Sequence, residues 1–259
     1  MVVHEIRFLR LWVRVRKGLR MLTLVGFGVF MVCALVYKTP CEIHAQDSLD
    51  ISKRIPVETM AFVSPERDWI ICHYAGLRFS VPPSLANNVV TKSGTPFVEF
   101  SDGTNRVQVS GAFATLTSVR ESRASLKGSM PPQLRNLSHI KLKVVAYQGS
   151  KDPATQEWLE RMGLWFRLGA GIKAEYIEKE QWEGLLNYRR NGFYTLDWET
   201  KDETACGIIG FKVSSSDINW VRALCHSLTI ENQPVSLEEL RASPEGFLRM
   251  ERREPRVVE

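Results

Sequence analysis

The run Met21–Tyr37 (MLTLVGFGVFMVCALVY) constrains this chain more than any other feature: 17 consecutive residues carry no charge. As a helix it would rise about 25 Å, at the lower limit for crossing the hydrocarbon core of a bilayer and just longer than the apolar stretch of a signal peptide. Arg7, Arg10, Arg14, Arg16, Lys17 and Arg20 precede it against the single acid Glu5. Basic flanks stay on the cytoplasmic side, so the N-terminus is expected inside and everything after Lys38 outside. A cleavage signature, Ile43-His44-Ala45, stands well beyond the run and behind a long basic lead. An uncleaved signal anchor is therefore preferred over a cleaved signal, and both over a buried helix.

This assigns residues 1–20 to a basic cytoplasmic segment, 21–37 to a transmembrane signal anchor in contact with the lipid bilayer, and 38–59 to a polar linker. An extracytoplasmic domain would then occupy 60–231 and a charged tail 232–259. The expected location is the inner (cytoplasmic) membrane, single-pass, with the domain on the periplasmic or extracellular side.

The net charge of +5 invites a nucleic-acid reading. Of the 34 Lys and Arg and 29 Asp and Glu in the chain, 7 and 1 lie before residue 39, which leaves 27 and 28 beyond. The exported part is near neutral and has no basic excess for phosphate contacts, so no nucleic acid is expected as a partner.

Turn chemistry organises the domain. Ala75-Gly76 separates a β-rich run (Trp69 to Tyr74) from the alternating Leu77, Phe79 and Val81, which predicts a hairpin. Asp102-Gly103 divides Phe97–Phe100 from the alternation at Val107 and Val109, a second hairpin with the residues a tight reversal prefers. A helix is expected over Arg120–Met130, stopped by Pro131-Pro132, and a strand over His139–Tyr147, with Ile140, Leu142, Val144 and Ala146 on one face. Asp152-Pro153 reads as an N-cap and first helical position. A further helix is predicted over Ile172–Tyr188, where Glu175 and Lys179 form an i,i+4 pair.

Phe193–Glu199 and Ala205–Val213 read as an antiparallel pair. Ser216 or Asp217 would cap a helix bearing Ile218, Val221, Leu224 and Cys225. Ser236 with Glu239 makes a capping box for a short helix, followed by disorder. The fold class expected is α+β, an antiparallel β-sheet with helices packed on its faces, behind one N-terminal transmembrane helix.

The phrases LRFSVPPSLA (Leu77 to Ala86) and INWVRALCHSLTI (Ile218 to Ile230), together with the order of elements between them, resemble the PsbP-like α/β sandwich superfamily. That resemblance implies a small exported or accessory protein that binds other proteins. It carries over no functional residue.

No G-x-S-x-G, H-E-x-x-H, C-x-x-C or Walker-type loop occurs in the sequence. No catalytic residue, cofactor or metal site is assigned. Cys-His occurs twice, at Cys72-His73 and Cys225-His226. Neighbours on a strand point to opposite faces and helical neighbours diverge by about 100°, which argues against a zinc site or a nucleophile pair. Asp197 with Glu199, and Glu157 with Glu160, share faces on paper and are expected as solvated charges. Gly169-Ala170-Gly171 is expected as a helix-to-helix turn rather than an anion cradle.

Cys206 and Cys225 are candidates for a disulfide, with Cys72 as the rival partner for either. The apolar run around Trp158, Trp165 and Phe166 is chiefly core in character, and it is the first candidate for a partner surface. A binding or accessory protein acting by contact with an as yet unidentified protein partner is the leading expectation. An exported hydrolase with an unrecognised active site is the alternative.

Overall fold

The computed structural model describes residues 53–252 apart from 116, 168, 215–217 and 232–233. The basic segment, the anchor and most of the linker, with Cys33 and Cys41, lie outside the described residues, as do Ser216 and Asp217. By contacts, the described residues 117–126 belong to one compact unit and the remaining described residues to a second. The first is represented by most of helix α2 (Thr117–Ser129), whose last residues belong to the second. No described helix is long and apolar enough to cross a membrane.

The second unit is built on two sheets with helices. Its larger sheet contains β1 (Val57–Thr59), β4 (Val89–Thr91), β5 (Phe97–Ser101), β6 (Arg106–Ser110), β7 (Phe113–Ala114), β8 (Lys173–Glu178), β9 (Trp182–Tyr188), β10 (Phe193–Thr200) and β11 (Ala205–Lys212). The order is β1-β8-β9-β10-β11-β6-β5-β4, with β7 also on β11. Every pair is antiparallel except β1 with β8. The smaller sheet is antiparallel and comprises β2 (Ile70–Tyr74), β3 (Leu77–Val81), β12 (Thr229–Ile230) and β13 (Leu248–Glu251), in the order β12-β3-β2-β13. The other helices are α1 (Pro83–Ala86), α3 (His139–Gln148), α4 (Pro153–Arg167), α5 (Asn219–Ser227) and α6 (Leu237–Ala242).

Alternation along the strands divides the interior in two. One face of the large sheet supplies Val98, Phe100, Val107, Val109, Leu196, Trp198, Ile209 and Phe211 to the main core. They share it with Phe79 and Val81 of the small sheet and Val221 and Leu224 of α5. The opposite face carries Ala174 and Leu185 into a smaller core with Ile140 and Tyr147 of α3.

Both predicted hairpins are present, and their turns explain themselves. Ala75 (φ 46°) and Gly76 (φ 84°) are both left-handed, as a two-residue reversal needs. In the second, Gly103 sits at φ 89°, while Asp102 Oδ1 accepts from the backbone N–H of Thr104 and Asn105 at 2.9 and 2.7 Å. The β10–β11 pair and the helices at α4 and α5 also stand, but α5 starts at Asn219 with Ile218 in the N-cap position and no side-chain cap, in place of the cap expected from Ser216 or Asp217. At the start of α4, Asp152 Oδ2 accepts from Thr155 N at 2.9 Å.

Four expectations are corrected. His139–Gln148 is a helix, not a strand: Ser138 caps it by accepting from Lys141 N, and the buried Ile140 and Tyr147, seven residues apart, lie two turns apart on one side. Ile172–Tyr188 holds the β8–β9 hairpin rather than a helix. Most of these strand residues are covered on both faces, which hides the polar–apolar alternation that marks a half-exposed strand. The ordered domain starts before residue 60, since Ile55 is buried and β1 joins the sheet. The tail continues past α6 into β13, which pairs with β2, instead of ending in disorder at that point.

Candidate functional site

The face of the large sheet beneath α3 is unusually polar for a covered surface. Glu183, Leu185 and Asn187 alternate along β9, and Glu199, Asp197 and Thr195 stand opposite them in that order on β10. Directly opposed residues on one face lie about 5 Å apart at Cβ. Glu183, Asn187, Thr195 and Glu199 are all buried.

Most of these groups have identifiable partners. Lys143 of α3 donates to Asp197 Oδ2 at 3.1 Å. Asn187 Nδ2 reaches the same carboxylate oxygen at 3.3 Å and the carbonyls of Leu185 and Thr195. Tyr176 donates its hydroxyl to Glu183 Oε2 at 2.7 Å, and Lys141 stands 3.7 Å from that oxygen. Arg167, at the end of α4, donates to the Lys53 carbonyl.

Among the described residues, no hydrogen-bond partner meets the buried Tyr147 Oη or Asn187 Oδ1 in this layer. Burial pushes the Tyr147 hydroxyl far above its ordinary pKa, and the Asp197 charge adds to the effect. Tyr147 thus stays a neutral donor at any ordinary pH. It also lines a cleft of about 280 Å³ with Arg54, Ser150, Gln156 and Glu160. One cation, one carboxylate and several neutral polar groups equip this cleft for water or a small polar solute; its volume is at the bottom of the range for ligand pockets.

On the opposite face Glu175 is the main ionic centre. Arg222 of α5 donates to Glu175 Oε2 through Nε at 3.0 Å and to Oε1 through Nη2 at 2.6 Å. Burial alone would raise the Glu175 pKa. The hydrogen bonds from Arg222 and Tyr188, with the charges of Arg222 and Lys173, outweigh it and hold the carboxyl below its ordinary value.

The residues singled out from the sequence fall as follows. Cys206 lies on β11 opposite Glu199, hence on the α3 side of the sheet, whereas Cys225 belongs to the main core on the other side. The sheet itself separates the two, and Cys225 carries a free thiol. The disulfide between them is therefore corrected: strand alternation sends Cys206 away from the core that Cys225 joins. Cys72 and Cys225 both face the main core as free thiols; burial pushes Cys72 up to about 12 and Cys225 higher still.

The neighbouring histidines point elsewhere. His73 meets Glu231 at 2.7 Å on the outer face of the small sheet, and His226 Nε2 lies 3.0 Å from the Ala61 carbonyl. Among the described residues no three His, Cys, Asp or Glu side chains are grouped to hold a metal ion.

Trp158 and Phe166 are each 3% exposed, with ring centroids 5.7 Å apart, so the partner surface expected there is corrected to interior packing. Nothing of the Trp165 side chain lies within the described residues. Gly169-Ala170-Gly171 leads from α4 into a strand, not a helix. A Cβ on Gly171 would fall 2.0 Å from the Tyr188 carbonyl oxygen, so glycine is required there by close backbone approach.

Sequence reading missed the Glu175–Arg222 and Lys143–Asp197 pairs. Their partners are 47 and 54 residues apart, and no local pattern announces a contact at that separation. Comparison with family models, curated proteins and solved structures finds no match.

Proposed function

We propose that this chain is a membrane-tethered, extracytoplasmic binding or accessory protein that acts by protein contact. Residues 21–37 anchor it in the inner membrane, with the N-terminus inside and the domain on the periplasmic or extracellular side. The PsbP-like likeness belongs to this reading and rests on the two phrases quoted above.

The observation that carries the contact reading is Phe62. It is 73% exposed, and its ring stands edge-on to His226 with centroids 5.0 Å apart. An aromatic ring held outward by a neighbour loses little freedom when a partner covers it, and Phe is enriched where interfaces form. The carboxylates inside the sheet layers support the same reading, because Glu175, Glu183 and Asp197 are occupied in joining elements together.

The test has two arms. A photo-cross-linking residue at position 62, in cells expressing the full chain, should give a discrete protein adduct that the same residue at exposed Lys201 does not. Absence of any adduct from position 62 would remove the contact reading at this site. A reporter active only outside the cytoplasm, fused after Glu259, should be active, and the membrane fraction should retain the intact N-terminus. Reporter activity restricted to the cytoplasm would overturn the location, and a soluble product beginning at Gln46 the tether.

A second reading, an exported hydrolase, has one observation in its favour: Glu183 and Glu199 oppose each other directly as a carboxylate pair. Against it, both are buried at 1% and 2% exposure, which leaves a substrate no approach.

A further inference from the structure

We infer that one end of the large sheet is a docking rim for an anionic lipid surface. The inference rests on the tethered reading above and gives the domain a preferred face toward the membrane.

The register of the sheet sets one row of residues side by side. Lys173 pairs with Tyr188 and Tyr188 with Tyr194, which puts Ile172, Arg189 and Phe193 one step further out on the three strands. Phe193 in turn pairs with Lys212, and Lys212 with Arg106. At about 4.8 Å between strands, the row spans roughly 19 Å. It alternates apolar and basic along Ile172, Arg189 and Phe193, then ends in two cations.

These side chains are available. Ile172 is 60% and Phe193 40% exposed, two of the few large apolar side chains in the described chain that stand so far out. Lys212 Nζ lies 5.9 Å from the Phe193 ring centroid, and Arg189 donates to the Gly169 carbonyl at 3.2 Å. Neither Lys212 nor Arg189 has an ion pair among the described residues. Three carboxylates at this end are taken up nearby: Glu58 by Lys173 at 2.7 Å, Glu99 by Gln108 at 2.6 Å and more loosely by Arg106, and Glu175 by Arg222. Asp102, on the adjacent turn, caps the backbone of Thr104 and Asn105. The turns at the far end are more acidic, with Glu180, Asp202 and Glu203 beside Lys179 and Lys201.

The chain's own path argues for lipid as the occupant. β1 runs parallel to β8, Val57 pairs with Ala174, and Ala174 N donates to the Pro56 carbonyl. The N-terminal side of the domain, from which the anchor would lead, therefore joins the sheet at the end that carries the row. Residues 38–55 reach at most roughly 60 Å when extended, so the tether permits many orientations and keeps the domain at high effective concentration near the surface. Exposed apolar side chains interleaved with unpaired cations suit the headgroup layer of an anionic leaflet. Each basic residue there contributes about a fivefold increase in binding at moderate salt.

The full-length chain in nanodiscs of neutral phosphatidylcholine, compared with nanodiscs containing phosphatidylglycerol, tests this by amide hydrogen exchange. Exchange over 189–193 should slow several-fold in the anionic discs only. The slowing should disappear in 1 M salt and in the double variant R189Q/K212Q, while the buried β10 amides stay protected and so report an intact fold. Equal exchange in both lipids, with the chain embedded, overturns the docking rim and leaves the tether standing. A chain that fails to embed overturns the tether; its flotation with phosphatidylglycerol vesicles would still support the rim if R189Q/K212Q weakens it, and flotation unchanged by that double variant, or none, would overturn the rim too.

Discussion

Arg222 and Glu175 form a two-point ion pair, at 3.0 and 2.6 Å, that joins α5 to the second strand of the large sheet across the main core. The two parallel hydrogen bonds match the planar guanidinium to the carboxylate, so the pair fixes the rotation of α5 as well as its distance.

Removing one partner should therefore cost more than removing both. Glu175→Ala leaves a guanidinium only 22% exposed without its anion. It should lower stability by about 2–3 kcal/mol, less than the 3–5 kcal/mol typical of a fully buried pair because Arg222 keeps some water. The double variant E175L/R222M should recover part of that loss. Urea midpoints of the three proteins check the order, and a double variant weaker than E175A would contradict it.

The same pair predicts an acid limb. Because the folded-state pKa of Glu175 lies below its ordinary value, the unfolded chain binds the proton first as pH falls. The contribution is complete above the ordinary glutamate value of about 4.3 and is lost as pH drops through the lower folded-state value. Urea midpoints between pH 3 and pH 7 should fall on acidification in the wild type and fall less steeply in E175Q. Parallel curves would show that Glu175 does not contribute to the acid limb.

Gly207 lies beneath an indole. A Cβ at that position would stand 2.6 Å from Trp198 Cζ2, in a fully buried ring that cannot swing away. Gly207→Ala should cost about 1–3 kcal/mol by overpacking, visible as a lowered Tm, whereas alanine at Gly210 meets no atom within 4 Å and should be close to neutral.

Thiol accessibility separates the three described cysteines. Cys72 and Cys225 are buried and their pKa values are raised by burial, so alkylation at pH 8 should be slow in the folded protein and rapid in denaturant. Peptide mapping without reductant should find no Cys206–Cys225 bridge. Recovery of that cross-linked peptide from folded protein would show that β11 is turned over relative to the arrangement described.

The sequence by itself determined what depends on neighbouring residues. Gly76 and Asp102-Gly103 favour their turns locally, because glycine takes a positive φ freely and the aspartate side chain accepts from the backbone ahead of it, whereas the left-handed Ala75 is held by tertiary hydrogen bonds to Phe247 and Ala112. Asp152-Pro153 opens α4 because a side-chain acceptor and a fixed φ act within one turn. The divergent directions of Cys72 and His73 follow from strand geometry alone.

Tertiary structure decided the segments with two readings. In His139–Gln148, Ile140, Leu142, Val144 and Ala146 satisfy a strand pattern, yet the Ser138 cap and packing on β9 and β10 make it a helix. In Ile172–Tyr188, Glu175 and Lys179 resemble a helical pair until Arg222 takes the carboxylate, on a strand covered from both sides. The polar layer of Glu183, Asn187, Asp197 and Glu199 was illegible for the same reason. A charged residue in a sequence reads as solvated, and only the packing of a distant element over it, together with the partner that element supplies, keeps it inside.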